Sequence, residues 1–377
     1  MDFELSDEQK DIQRAALEFA RGEFDPDLAL DLDQNGKFPE TIWKKAAQLG
    51  FIGVHYPKPF RGQDLSLFEN VLIIEAFCRV DSGIGGALSL VDLGSEVILK
   101  FGSQKQKEKF LVPLAKGEKR LSVAFGESED GKDLSSISTV GERKEKGYLL
   151  QGRKRFVPNV SLADAFIMLC KEPKEGWIAL LVEKETDGIE VHPIEKMALR
   201  MIPFGDLILK EIWVPHENRL GREGEGIDQF NYFHQVMGMK SLAQALGVIQ
   251  GAFDRALKYS TQREQFGKRL SQFQVIRHKL ADMAIGMEVA RWLTYKSAIE
   301  FEDHGKDQEF LSVARLEVRR RLVWTVDEAL QIFGGYGYMA EQEIEHFYRD
   351  AWAIGVELGT EEELKDILSE KILGKPQ

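Results

Sequence analysis

The sequence predicts a mainly helical protein with a β domain set into its middle. Three observations carry this. Residues 1 to about 119 show apolar residues at helical spacing between capping signals. From about 120 to 228 the chain switches to short β-rich runs separated by turns. From about 229 it returns to long amphipathic stretches with short links. The expected division is therefore 1–119, helical; 120–228, β; and 229–377, a helical bundle. A chain of 377 residues is long enough for two or three domains and a large core.

The elements follow in order. Ser6 can cap a first helix, with Glu8 and Gln9 behind it and Ile12, Ala16 and Phe19 on its apolar face. Pro39 begins a second, carrying Ile42, Trp43 and Ala46 and ending at Gly50. Further helical segments fall at 70–78 and 95–101, with Pro57, Pro59 and Gly62 marking the loop before them. The runs LSVAFGES, GYLLQGRKRFVP, DAFIMLC, WIALLVE and LILKEIWVP read as strands, and EKG, EPKEG and ETDG as turns. In the bundle Leu242, Leu246, Ile249, Phe253 and Leu257 recur at spacings of three and four. Phe273, Ile276, Leu280, Met283 and Met287 do the same. So do Val323, Val326, Leu330 and Phe333, before Gly334-Gly335 stops that helix. Thr360 can cap a last helix, with Glu363 completing a capping box and Leu364, Ile367 and Leu368 as its apolar face. Glu361, Glu362 and Glu363 suit a helix N-terminus, where the dipole favours acids.

Composition excludes several classes. A net charge of −12 argues against nucleic acid and against anionic membrane surfaces. The two cysteines, Cys78 and Cys170, lie far apart; they suit a reducing compartment and form no disulfide or metal pattern. The start, MDFELSDEQKDIQ, is acidic and polar, unlike a signal peptide. No apolar run is long enough to span a bilayer. The expectation is a soluble, cytoplasmic protein without a metal.

Several motifs stand in a fixed order. Arg263, Phe266, Gly267 and Gln274 form RxxFGxxxxxxQ, and Gln331, Gly334, Gly335 and Gly337 form QxxGGxGY. A guanidinium fork suits a diphosphate. Paired glycines permit close backbone approach to one. Upstream stand AFGESEDGKDLSSIST, KRFVPN and LKEIWVPHENRLGREGEG. Downstream, Arg349-Asp350 is followed after eight residues by Gly359-Thr360. Any one of these has a plain structural reading, since a lone arginine is usually a surface cation and a glycine pair a helix stop. Their order does not.

Together they cover almost the whole chain and resemble the acyl-CoA dehydrogenase family. The resemblance implies that family's fold: an N-terminal helical domain, a barrel-like β domain and a C-terminal four-helix bundle. It implies FAD, an acyl-CoA or acyl carrier thioester as substrate, and an electron-transfer flavoprotein as redox partner. It also implies a homo-oligomer, a tetramer or dimer built through the bundle. By the same resemblance Arg263, Phe266, Gln274, Gln331, Gly334 and Gly335 hold the pyrophosphate and adenosine end of FAD across a subunit boundary. Phe125, Gly126, Phe156 and Pro158 lie at the flavin ring, and Thr360 and Glu362 complete the cofactor contacts. Lys132 and Leu358 stand at the substrate.

The departures from the family pattern concentrate at that ring and substrate. Gly126 and Pro158 replace threonines that contact the flavin, and proline brings neither hydroxyl nor N–H. Ser128 replaces a proline and Lys132 a serine, while Phe156 keeps the aromatic. The residue before Gly359-Thr360 is commonly the glutamate that removes the substrate α-proton, and here it is Leu358. A second base position used in the family, ten residues before Gly247, holds Met237, and the arginine that often follows is Gly238. The candidate base is then Glu357, one residue early. One residue turns a side chain by about 100° in a helix, so the expectation is that Leu358 lies over the flavin with Glu357 pointing elsewhere. The backbone N–H of Leu358 would still polarise a thioester. Two readings follow: an FAD-dependent oxidoreductase acting on the CH–CH group of an acyl thioester, or a member without dehydrogenating activity. The latter would be a base-free subunit of a hetero-oligomer or an FAD protein of different chemistry.

Overall fold

The computed structural model describes residues 4–127, 137–174, 176–304 and 308–374. Seven helices come first: α1 (Asp7–Glu23), α2 (Pro26–Asn35), α3 (Glu40–Gln48), α4 (Leu67–Val80), α5 (Ser82–Ser89), α6 (Ser95–Phe101) and α7 (Gln104–Ala115). Ser6 and Gln9 close a reciprocal capping box on α1, and Ser66 and Glu69 do so on α4. The sequence reading had no α2, α5 or α7. α5 is the instructive omission. It reads SGIGGALS, poor helix-forming material, yet every residue is buried. A side chain at Gly85 would stand 2.6 Å from the Cys78 backbone, so close helix contact, not propensity, selects glycine there.

The β region is an eight-stranded sheet of β1 (Leu121–Ala124), β2 (Val140–Lys144), β3 (Gly147–Pro158), β4 (Ala165–Glu172), β5 (Gly176–Glu183), β6 (Ile189–Ile194), β7 (Phe204–Pro215) and β8 (Arg219–Leu220). The order is β6-β7-β3-β2-β4-β5-β8, with β1 parallel to β4. β2, polar and mostly exposed, and β6, half exposed with a proline in it, are strands that the sequence does not single out. β4 explains why DAFIMLC is apolar throughout instead of alternating. Phe166, Met168 and Cys170 face the sheet's own core, while Ala165, Ile167 and Leu169 pack into the helical core. Two register shifts interrupt the pairing of β3 with β7, the second between Lys154 and Val157.

The chain then forms α8 (Gly226–Gln262), the short strands β9 (Glu264–Gln265) and β10 (Lys268–Arg269), α9 (Gln274–His304), α10 (Gln308–Phe333), a 3-10 turn at Gly334–Tyr338, α11 (Ile344–Leu358) and α12 (Glu361–Leu373). α8, 37 residues long, is buried along its middle and packs on α4, α9, α10 and α11. Among the described residues no helix is long and apolar enough to cross a membrane.

Candidate active site

Helices and sheet meet at a cleft of about 770 Å³. Its walls are largely apolar: Leu90, Leu93, Val123, Phe125, Phe204, Phe233, Met237 and Val356. Gly126, Arg155, Phe156 and Pro158 enter from the sheet, His234 from α8, and Glu357, Gly359, Thr360 and Glu363 from the α11–α12 junction.

The sheet side is shaped by the second register shift in β3. A bulge bends a strand and re-aims its side chains. Here it sets Phe156 at φ +53°, a region non-glycine residues seldom enter, and brings its ring to the cleft. The Phe156 N–H donates to Asp206 Oδ1 at 3.2 Å, which holds the bulge in place. Opposite, Gly126 O accepts from the Arg155 N–H at 2.9 Å. A buried ion pair supports this segment: Lys154 Nζ donates to Glu127 Oε1 at 2.6 Å and also to the carbonyl of Phe125. Burial pushes the Lys154 ammonium below its ordinary value, and Glu127 opposes that. Burial raises the Glu127 carboxyl, but Lys154, together with hydrogen bonds from Thr139 and Ser138, outweighs it, and the net direction is down.

The helical side is set by α11. Asp350 is buried, accepting from Ser82 Oγ at 2.8 Å and from the Leu199 N–H at 2.6 Å. Arg349 donates to Asp33 Oδ2 and to Glu345, both at 2.7 Å. The Arg-Asp pair thus anchors α11 to the N-terminal helices and the 196–203 loop rather than lining the cleft. With that anchor the last turn of α11 presents Val356 and Glu357 to the cleft, and Leu358, 0% exposed, joins the hydrophobic core. This differs from the expected orientation: Leu358 is a core residue that does not line the cleft, and Glu357 does. α11 runs helically through Leu358, so the one-residue offset is a rotation of about 100°. The Glu357 charge also acts on Lys196 through space. Burial pulls the Lys196 ammonium down to about 8, against the opposing pull of Asp350 and Glu357. Lys196 Nζ donates to Ala198 O at 2.7 Å and lies 5.3 Å from the centre of the Phe204 ring.

Of the sequence-predicted residues, the cleft gathers Phe125, Gly126, Phe156, Pro158, Glu357 and Thr360. Thr360 caps α12, its Oγ1 accepting from the Glu363 N–H at 3.1 Å, while the Glu363 carboxylate lines the cleft. Glu362 is exposed and away from the cleft. Lys132 and Ser128 lie outside the described residues. Arg263, Phe266, Gln274, Gln331, Gly334 and Gly335 do not line the cleft. Arg263 stands 5.3 Å from the Tyr336 ring, beside the glycine turn, and this surface is conspicuously bare. Phe266 is 93% exposed and Tyr338 88%. Arg155, Phe204, Phe233 and His234 are cleft residues that the sequence does not single out, and Glu363, read there only as a helix-capping acid, joins them. The signal for Phe233, His234 and Met237 was available, since i, i+3 and i+4 share a helix face.

One further group has metal-ligand chemistry: His55, Asp92 and Glu96, mutually within 4.8 Å. Lys240 Nζ stands 2.6 Å from Glu96 and 3.2 Å from Asp92, so the carboxylates already hold a cation.

The cleft's shape and chemistry fit a flat aromatic cofactor. Aromatic rings wall it, its volume is typical of ligand sites, and the buried Arg155 Nε, without a hydrogen bond among the described residues, has the Asp206 carboxylate 3.7 Å away.

Comparison with known proteins gives a consistent set of matches. Sequence models of the acyl-CoA dehydrogenase N-terminal, middle and C-terminal domains match residues 6–118, 122–212 and 224–373, in that order. A subunit of the caffeyl-CoA reductase-Etf complex of Acetobacterium woodii is 32% identical, covering 98% of this chain and 100% of its own length. The 3-(aryl)acrylate reductase of Clostridium sporogenes is 32% identical, covering 96% and 97%. The structure of butyryl-CoA dehydrogenase from Megasphaera elsdenii superposes with a TM-score of 0.93 at 32% identity, covering 99% of this chain and 100% of that one.

Proposed function

Because the chain belongs to the acyl-CoA dehydrogenase family, FAD-dependent oxidoreductases acting on the CH–CH group of an acyl thioester, we propose that Glu357 is the residue that exchanges the α-proton. The observation that carries this is the orientation of the last turn of α11: a carboxylate in an aromatic cleft, with the leucine after it turned into the core. A thioester α-proton is weakly acidic, so a positioned carboxylate is what its removal requires. In the oxidising direction Glu357 takes the α-proton. FAD, when bound, supplies the hydride acceptor or donor for the β-carbon. Phe125, Phe156, Phe204 and Phe233 exclude water and orient the flat partners, and Glu363 and His234 bring further polar groups to the same wall.

Microscopic reversibility gives the reverse reaction the same residues, with a protonated Glu357 delivering the proton to the α-carbon. The names of two relatives, an aryl-acrylate reductase and a caffeyl-CoA reductase, support this reducing direction as a second reading. The Etf named with one of them supports an electron-transfer flavoprotein as the redox partner. The adenosine end of FAD is assigned to Arg263, Gln274, Gln331 and the Gly334-Gly335 turn of a neighbouring copy. The exposed Phe266 and Tyr338 beside them support a homo-oligomer. Gly126 and Pro158 present no side-chain hydrogen bond to a flavin ring, so the bound flavin differs in redox potential from that of relatives with threonines there.

The test is anaerobic mixing of purified, FAD-loaded protein with a panel of acyl-CoA and enoyl-CoA thioesters, straight-chain and aryl. Bleaching of the oxidised flavin by at least one saturated thioester, or reoxidation of reduced flavin by an enoyl thioester, is expected. A protein that takes up no FAD, or binds it and responds to none, instead supports a non-catalytic member.

A further inference from the structure

A base in the last turn of a helix sits at the wrong end of the dipole. The C-terminal carbonyls carry partial negative charge, which disfavours a carboxylate there and leaves those oxygens in need of donors. α11 ends in this way at Glu357-Leu358, and Gly359 breaks the helix with φ +106°.

α10 answers this end of α11 with arginines one turn apart. Arg319 Nε donates to Gly355 O at 3.1 Å, and Arg315 Nη2 donates to the backbone oxygen of Glu357 itself at 3.4 Å. Arg315 is the more unusual of the two. Its Nε is buried without a hydrogen-bond partner among the described residues. Burial lowers its pKa, and the carboxylate of Glu363 opposes that. Its guanidinium lies against the backbone break: a side chain added at Gly359 would stand 3.1 Å from Arg315 Nη2 and 3.2 Å from Glu363 Oε2. Its stem runs beside α8 at Gly238, where an added side chain would stand at ordinary contact distance, 3.4 Å, from Arg315 Cδ and Leu311.

We infer that Arg315 is the positioning residue for Glu357. It caps the last turn of α11 from α10, fixes the direction in which Glu357 leaves the helix, and places a buried positive charge at the carbonyl end of that turn. This rests on the reading of Glu357 as the proton-exchanging group. Arg315 touches the backbone of that residue and lies outside the cleft lining, so its loss affects the chemical step and not thioester binding.

The experiment uses the FAD-loaded protein with butyryl-CoA and 3-phenylpropionyl-CoA as probes. Flavin reduction and exchange of the thioester α-proton with deuterated solvent are followed. Arg315→Met is expected to slow both by about 10²-fold, the scale of a misplaced reacting group. FAD content and the thioester Kd, read from the flavin spectrum, should stay within threefold of wild type. Arg315→Lys, which restores a cation and a donor, is expected to recover at least tenfold of the loss. An Arg315→Met rate within threefold of wild type overturns the inference, as does an Arg315→Lys protein no faster than Arg315→Met. Should Arg315→Met fail to fold, Arg315→Gln decides: a loss of at least tenfold supports the role, and a rate within threefold overturns it. Glu357→Gln is measured alongside. Wild-type rates in that variant remove the base assignment itself, whatever the Arg315 variants show.

Discussion

At the residue scale the site turns on two neighbours. Counting from the Gly-Thr pair puts Leu358 where a family base commonly stands, but geometry decides by direction, and Glu357 is the side chain that reaches the cleft. Leu358→Glu therefore restores no carboxylate to the site. It buries an unpaired charge among apolar neighbours, and we predict a loss of about 3–5 kcal/mol, read from urea unfolding, with no gain in flavin reduction. A stable and faster Leu358→Glu protein contradicts this. The sequence held the identity of both residues but not their facing, because facing depends on how far α11 continues before Gly359 ends it. Phe156 teaches the same lesson on the sheet side. Its aromatic character was legible in KRFVPN, whereas the bulge that turns it into the cleft was not, since the shift arises from pairing with β7, some fifty residues away.

At the scale of elements, α11 is the part on which the site depends. Arg349, Asp350 and His346 tie it to α2, α5 and the 196–203 loop. His346 stands 3.6 Å from Asp33, 3.4 Å from Asp81 and 3.5 Å from Asp350. Burial works to lower the His346 pKa, but Asp350, Asp81 and Asp33 override it, and the imidazolium is retained well above the ordinary histidine range. Burial likewise works to raise the Asp33 carboxyl, and His346 and Arg349 outweigh it, bringing Asp33 down to about 2. The signs follow from linkage. Asp33 contributes stability in full above the ordinary value near 3.8, and this is lost as pH falls toward 2. His346, raised in the fold, contributes below its ordinary value near 6.5 and loses that contribution as pH rises through its folded value. Thermal melts between pH 4 and 2 should show a steeper loss of Tm for the wild-type protein than for Asp33→Asn. Equal slopes would place the acid sensitivity elsewhere.

At the scale of the whole molecule, the expected cofactor contacts fall into two groups. The cleft holds those assigned to the flavin ring, and Arg263 and the glycine turn lie on a separate surface, where exposed Phe266 and Tyr338 stand among exposed charged residues. We propose that closure by a neighbouring copy brings the two groups together around one cofactor. We predict particles of two or four chains in light scattering. Arg263→Ala is expected to lose FAD on desalting, because a diphosphate forfeits its charge-assisted partner. A flavin-retaining monomer would argue against both. The helical–β–helical order was legible from periodicity and turn residues, and the motifs made the family legible. Short or Gly-rich elements such as α5 and β6 were not, because packing or pairing, not local pattern, stabilises them. The polar part of the cleft was only half legible: Arg155, His234 and Glu363 acquire their place from the meeting of α8, the β3 bulge and the start of α12.

The central claim is that Glu357 moves the α-proton, and anaerobic stopped-flow comparison of wild type with Glu357→Gln tests it most directly. Both proteins should bind FAD and shift its spectrum with a thioester. The rate of flavin bleaching and of α-proton exchange should fall in the variant by about 10²–10⁴-fold, the range for a lost acid–base group. A Glu357→Gln protein that bleaches and exchanges at the wild-type rate would contradict the account.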